Sequence, residues 1–256
     1  TTEFRPNSMQ QEALQKLHEI RSKGARKALI VSATGTGKTF LSAFDAAAFG
    51  AAKLLFVVHR ENIARAAMKS YEAIFGNQRT MGLYTGGQRS DADFVFGTIQ
   101  TLSREDHLNK FRPDHFDYII VDETHRAGAA IYRKFLDHFL PQFLLGMTAT
   151  PERTDGHDIY SLFDHNLAYE IRLHRALDEG MLCPFHYYGI SDILIDGEDL
   201  RKDLDIHDLV FGQRVNHIIE AARRYGTHDD QTRGLIFCSR VDEASELAVA
   251  LSEKGI

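Results

Sequence analysis

The chain is poor in cysteine, has no long apolar run and carries no excess of positive charge, and each shortage excludes something. Cys183 and Cys238 are the only cysteines in 256 residues. Two distant thiols make neither a disulfide framework nor a CxxC metal pair, which fits a reducing cytoplasm as the expected location. No apolar run approaches the roughly 20 residues of a membrane span, and the opening TTEFRPNSMQ has no signal-peptide shape, so no membrane association is expected. Thirteen histidines are present but scattered, with no HExxH and no close Cys/His cluster. A net charge of −6 argues against a protein that coats nucleic acid non-specifically, although it leaves room for a local basic groove. Internal repeats and low-complexity tracts are also missing.

What is present is the composition of a folded domain: 43% hydrophobic and 26% charged residues. The length suits one large core or two smaller ones. Because the first residue is Thr, the chain is expected to be trimmed from something longer.

The stretch that organises the rest is Ala28 to Thr39, ALIVSATGTGKT. Ala28-Leu29-Ile30-Val31 reads as a short buried strand, and Phe40 to Phe49 as a helix without a breaker. Between them Thr34-Gly35-Thr36-Gly37-Lys38-Thr39 has the setting of a phosphate-binding loop. Glycines let the backbone wrap a polyphosphate, and amides at a helix N-terminus point at it. Lys38 then reaches the β/γ-phosphates and the Thr39 hydroxyl a magnesium ion. A plain glycine-rich turn between a core strand and a core helix is the alternative, and Ser32 stands where the full GxxxxGKT pattern has its first glycine.

Along the chain, helices are expected at Gln10–Ile20, Glu61–Phe75, Ala129–Phe139, Val210–Tyr225 and Val241–Lys254. Strands are expected at Lys53–Val58, Thr80–Tyr84, Asp93–Thr98, Tyr118–Asp122 and Phe143–Met147, with further strands around a short helix between Ile171 and Phe185 and at Gly234–Ser239. Apolar strands alternating with helices predict an α/β fold with a mainly parallel sheet covered on both faces. In such sheets chemistry sits at the carboxyl ends of the strands. GTGKT, His59-Arg60, GTIQT, DETH and TAT all fall at such ends. Residues 1–170 are expected to form the nucleotide domain. Residues 171–256 read as a linker plus the start of a second, incomplete domain.

This order of motifs resembles the first RecA-like motor domain of superfamily 2 DExH helicases and translocases, nearest the members related to restriction-enzyme motor subunits and nucleotide-excision-repair helicases. The resemblance runs from about Phe4 to Gly156 and continues weakly at GLIFCS. DETH about 84 residues after Lys38, and TAT about 26 residues further on, make it specific. Ser32 fits it too, because the family often carries AxxGxGKT, here beginning at Ala33.

The resemblance implies ATP and Mg2+ as cofactors, with Lys38 and the loop from Thr34 to Thr39 on the phosphates. It makes Asp122 a metal ligand with Thr39, and Glu123 the base for the attacking water; exposed loop acids are the alternative. His125, Thr148 and Thr150 are implied to couple the nucleotide to the second domain. Gln10 matches a glutamine that reads adenine, although Arg5-Pro6 stands further from it than the family's spacing, so a solvated helix residue stays open. Arg60, Thr98 and Gln100 match positions on a nucleic-acid backbone, and Cys238-Ser239 another such motif. DNA is favoured over RNA by DETH followed by TATPERTDG. Family arginines that reach the γ-phosphate from the second domain have no counterpart here, so slow turnover is expected, within a larger parent protein. A non-catalytic ATP-binding switch is the alternative in another class, and a phosphate-loop kinase a third.

Overall fold

A computed structural model describes residues 4–124, 130–151, 158–189, 194–195, 198–199, 207–226 and 234–255. The chain divides into two compact units, Thr1–Pro184 and Phe185–Ile256.

In the first unit the elements run α1 (Ser8–Ser22), β1 (Lys27–Ser32), α2 (Lys38–Phe49), β2 (Leu54–Val58), α3 (Glu61–Phe75), β3 (Met81–Tyr84) and β4 (Phe94–Thr98). They continue with α4 (Ile99–Leu102), α5 (Glu105–Leu108), β5 (Tyr118–Asp122), α6 (Ala130–His138), β6 (Phe143–Thr148), α7 (Ile159–Leu162), β7 (Leu167–Ile171) and α8 (Leu173–Asp178). The seven strands form one sheet in the order β3-β4-β2-β5-β6-β1-β7, and every pair is parallel.

Both faces are covered, and the period of two along each strand sorts its side chains between them. Ala28, Ile30, Leu54, Phe56, Val58, Tyr118 and Ile120 join the core beneath α1, α2 and α3. Leu29, Val31, Leu55, Val57, Ile119 and Val121 join the opposite core with α4 to α7. The fully apolar runs read from the sequence are therefore strands buried on two sides. Gly146 in β6 lies directly under the Phe163 ring, and a Cβ there would sit 2.2 Å from its Cζ.

One polar cluster lies inside the first core. Arg21 of α1 donates bidentately to Asp45 of α2 at 2.8 and 2.7 Å, and the Tyr118 hydroxyl donates to the same carboxylate. The guanidinium stands 4.9 Å over the Phe143 ring, and Asp45 is fully buried. This pair sets α1 against α2, the two helices that carry Gln10 and Lys38.

Three expectations change. Residues 171–184, read as part of a linker, pack on the first unit: Ala176 is buried in its core, with Met181 and Leu182 packed against it. The strand expected after Gly180 does not form, because the Met181 and Leu182 amides turn back onto the Ala176 carbonyl at 2.9 and 3.3 Å. In the second unit, β8 (Leu194–Ile195) and β9 (Glu198–Asp199) pair with each other, and α9 (His207–Tyr225) and α10 (Val241–Glu253) share a small cluster of Val215, Ile219 and Leu247. The strand expected over Gly234–Ser239 is absent. An isolated apolar run becomes a strand only with a ladder partner, and here Leu235 and Phe237 are 86% and 90% exposed.

Breaking the Arg21–Asp45 pair from one side leaves a buried guanidinium and a buried phenol short of their acceptor. Asp45→Ala is expected to lower unfolding free energy by about 3–5 kcal/mol. Urea denaturation measures it, and a loss below about 1 kcal/mol would contradict the assigned role.

Candidate functional site

The register of β6 assembles the site. Val31 at the end of β1 pairs with Thr148, and Asp122 at the end of β5 pairs with Met147. β6 thus stands between the strand that enters the glycine loop and the strand that ends in the acids, and its own Thr148–Thr150 turn emerges between them. Asp122 is not on a strand adjacent to β1, yet parity places it on the same face as Tyr118 and Ile120, where α2 lies.

The loop is braced internally. Gly35 and Gly37 take positive φ of 87° and 81°, a region that costs other residues strain. The Thr36 hydroxyl donates to the Ala33 carbonyl at 2.7 Å and lies 2.6 Å from the buried Ser32 hydroxyl. Ser32 is therefore a brace rather than a gap in the motif. Thr34 and Gly35 are exposed and Thr39 is half-buried. Gly35 also has Leu182 against it: a Cβ there would be 3.1 Å from the leucine Cδ2.

Lys38 opens α2, and its ammonium donates to the Ser32 and Ala33 carbonyls at 2.8 and 3.1 Å. Burial lowers its pKa, while Asp122 and Glu123 oppose that shift. Burial likewise raises the Asp122 carboxyl to about 6, against the pull of Lys38 and of the Glu123 amide, which donates to Asp122 Oδ1 at 3.0 Å. Glu123 holds a left-handed φ of 59°, rare outside glycine, and this ends the strand and redirects the chain. Thr124 is buried and donates to the Met147 carbonyl at 3.2 Å, tying the acidic loop to β6. The Thr148 hydroxyl and the Thr150 backbone close a turn through two 3.2 Å bonds. His125 lies outside the described residues.

Gln10 is buried, so it is no solvated helix residue. Its Nε2 donates to the Gly37 carbonyl at 3.3 Å, and a Cβ on Gly37 would lie 3.0 Å from that nitrogen. The disturbed spacing has a cause: Asn7 is the N-cap of α1 and Gln10 its N3 residue, in a reciprocal capping box. Asn-x-x-Gln ahead of an apolar run was the signal for it.

Arg60 is exposed at the N-cap of α3, beyond β2, and Gln100 is exposed in α4, beyond β4. Thr98 pairs with Val58 across β2–β4, but it is buried and its hydroxyl donates to Thr101 at 3.0 Å. At roughly 4.8 Å per strand, β2 and β4 lie about 14 and 19 Å from β1. These residues stand beside the glycine loop rather than on it.

Residues 3–153 match the family described as "Type III restriction enzyme, res subunit", well over half of the chain. The chain belongs to that family. Its fold is the RecA-like α/β fold of a superfamily 2 motor domain, as the order of motifs implied. It is 26% identical over 281 residues to a type I restriction enzyme EcoAI endonuclease subunit of Escherichia coli, covering 96% of this chain and 34% of that protein. It is 26% identical over 234 residues to a putative ATP-dependent helicase, IRC3, of Saccharomyces cerevisiae, covering 82% and 33%. The chain spans about a third of the length of these relatives. The ATP-dependent type ISP restriction-modification enzyme LlaBIII, solved bound to DNA, superposes with a TM-score of 0.55 at 17% identity, covering 70% of this chain and 16% of that one. No helix among the described residues is long and apolar enough to cross a membrane.

Because the folded Asp122 carboxyl titrates near 6, above the usual value near 4, the folded state keeps a proton that the unfolded chain gives up. Stability from this group is complete below about pH 4 and is lost as pH rises through about 6. Asp122→Asn, which cannot titrate, is therefore expected to exceed the parent in stability at about pH 7.5 without nucleotide, with the gap closing towards pH 4. Urea unfolding across that range checks it; a gap that does not change with pH contradicts it.

Proposed function

We propose that the chain is the ATP-hydrolysing motor domain of a nucleic-acid-dependent translocase or helicase that acts on DNA. The observation that carries this reading is the meeting of Lys38, Asp122 and Glu123 at the mouth of α2, with each acid acting on the lysine ammonium. An ATP triphosphate offers Lys38 better acceptors than the two loop carbonyls it now uses. The amides at the start of α2 face the same oxygens, and negative charge there is favoured by the helix dipole.

Magnesium suits the donors present. Among the described residues no group of three or more His, Cys, Asp or Glu forms a metal cage. Magnesium needs none, because it takes one or two protein oxygens and keeps water and phosphate for the rest. Thr39 and Asp122 would hold it, and the cation would relieve the buried Asp122 carboxylate; when bound it neutralises charge on the β/γ-phosphate oxygens. Glu123 takes the proton of the water that attacks the γ-phosphate, since its carboxylate follows Asp122 on a turn aimed away from the strand. Gln10, held by Asn7 and the Gly37 carbonyl, keeps one N–H and one lone pair with which to read the adenine edge. Thr148, Thr150 and His125 relay the state of the nucleotide. Arg60 and Gln100 mark the nucleic-acid path with Thr98 buried beneath it, and the likeness to a type I restriction enzyme subunit favours DNA on it. The second unit, from Phe185 on, supplies a linker and the opening portion of a second RecA-like domain within a larger cytoplasmic protein.

Lys38→Ala is expected to weaken ATP binding at least tenfold, roughly 1.4 kcal/mol. Glu123→Gln is expected to keep ATP binding and abolish turnover, because the metal ligand stays while the base is lost. Calorimetric titration and ATPase assays with single-stranded DNA, duplex DNA and RNA read both. Unchanged ATP affinity in Lys38→Ala removes the phosphate assignment. ATP binding without turnover in a longer chain with a complete second domain, with or without nucleic acid, points instead to a non-catalytic switch.

A further inference from the structure

At the free edge of the sheet, beyond β4, the chain leaves β3 at Tyr84 and turns over Thr85–Gln88, where the Thr85 amide donates to the Gln88 carbonyl at 2.9 Å. Arg89 then pairs back on Tyr84 as an isolated antiparallel bridge. Its guanidinium lies 5.2 Å over the buried Tyr84 ring. Nη1 donates to the Gln88 carbonyl at 2.8 Å, while Nη2 meets the Gly86 carbonyl at 3.4 Å and His107 Nε2 at 3.3 Å. His107 is itself buried, with Nδ1 3.0 Å from the Tyr84 hydroxyl.

Arginine has donors only, so in its 3.3 Å contact His107 Nε2 acts as acceptor in the tautomer that carries its proton on Nδ1, facing the Tyr84 hydroxyl, while Asp106 Oδ2 stands 3.4 Å from the same Nε2. Burial of the ring, opposed by Asp106 and reinforced by Arg89, Lys110 and Arg104, lowers the His107 pKa and favours the neutral ring. Arg89 is nevertheless exposed. Holding a surface arginine in one pose costs up to about 2 kcal/mol of rotamer entropy, and here a ring beneath it and an imidazole at its tip hold it. Among the described residues three of its five N–H groups are engaged, which leaves two for a ligand.

The surroundings say which ligand. Arg89, Arg104 and Lys110 gather around His107, with Arg104 paired to Asp106 at 3.3 Å and Glu61 facing Thr85, in a chain whose net charge is −6. Tyr84 pairs with Gly97 of β4 on one side and with Arg89 on the other, so Arg89 stands just outside the edge strand, on the same side of β2 as Gln100. From β2 to the Arg89 segment outside β3 is three strand spacings, about 14 Å, or some four phosphate steps at 3.4 Å along one strand of a B-form duplex.

We propose that Arg89 grips a backbone phosphate of bound nucleic acid, and that the Tyr84 ring and the His107 imidazole hold it in place to do so. The nucleic-acid path then extends past β4 to the edge strand. This rests on the nucleic-acid reading above. His107 is a positioning residue; Arg89 makes the contact.

The test is fluorescence anisotropy of labelled single-stranded DNA of two unrelated sequences with this chain, titrated with salt. Arg89→Ala should weaken both complexes about three- to tenfold and flatten the log–log salt slope by about 0.7, one phosphate contact on a single strand. Arg89→Lys should keep the slope but recover only part of the affinity, because it keeps the charge and loses the fork. His107→Phe should keep the slope and lose affinity, and His107→Gln, which restores an acceptor, should regain it. Melting temperature and ATP affinity should match the parent throughout. Arg89→Ala with the parent's affinity and slope overturns the proposal, provided Arg60→Ala weakens binding. His107→Phe indistinguishable from the parent removes the positioning role. Should the parent show no salt-dependent binding to DNA or RNA at all, the nucleic-acid reading itself falls, and this inference with it.

Discussion

Everything in the first unit depends on β6 pairing in parallel with β1 on one side and β5 on the other. That register brings three loops to one mouth, although Lys38 and Asp122 are separated by about 84 residues and Thr148 lies about 26 beyond. A one-residue slip would turn Asp122 to the opposite face of the sheet, away from α2. The apolar content of the three strands, buried from both sides, holds the register. The chemistry at the mouth is therefore supported by a core that contains none of it.

The charges at that mouth are poorly satisfied by the protein alone. Lys38 leans on two carbonyls of its own loop, Asp122 is pushed up to about 6 by burial, and Glu123 sits in a backbone region that favours glycine. Such groups are kept where a ligand completes them, and strain of this kind concentrates at functional sites. The Arg21–Asp45–Tyr118 cluster is the contrast. It is equally polar and more deeply buried, yet its acid is saturated by two strong donors. One cluster holds the helices in place, and the other is the one that the proposed function gives to a ligand.

Much of this was legible because the strands advertise themselves. ALIV, LLFVV and YIIVD are apolar on both faces, their ends carry the polar motifs, and the expected helix Glu61–Phe75 forms with those bounds. The position of Gln10 was half legible, since its cap lies in the sequence although its contact with Gly37 does not. Local pattern misled at GLIFCS, where apolar content without a ladder partner gives no strand. It was silent wherever the decisive contact is long-range. Nothing near Gly35 points to Leu182, and nothing near Arg89 points to a histidine 18 residues away on another element. Thr98 reads as a surface hydroxyl, but its bond to Thr101 turns it inward.

Amide hydrogen exchange of this chain with and without ATP and magnesium tests the convergence most directly. Exchange should slow together in Ala33–Phe40, Asp122–Thr124 and Met147–Thr150, and stay unchanged in the Thr85–Arg89 turn. Slowing at the glycine loop with none at the ends of β5 and β6, or no slowing at that loop, would contradict the account.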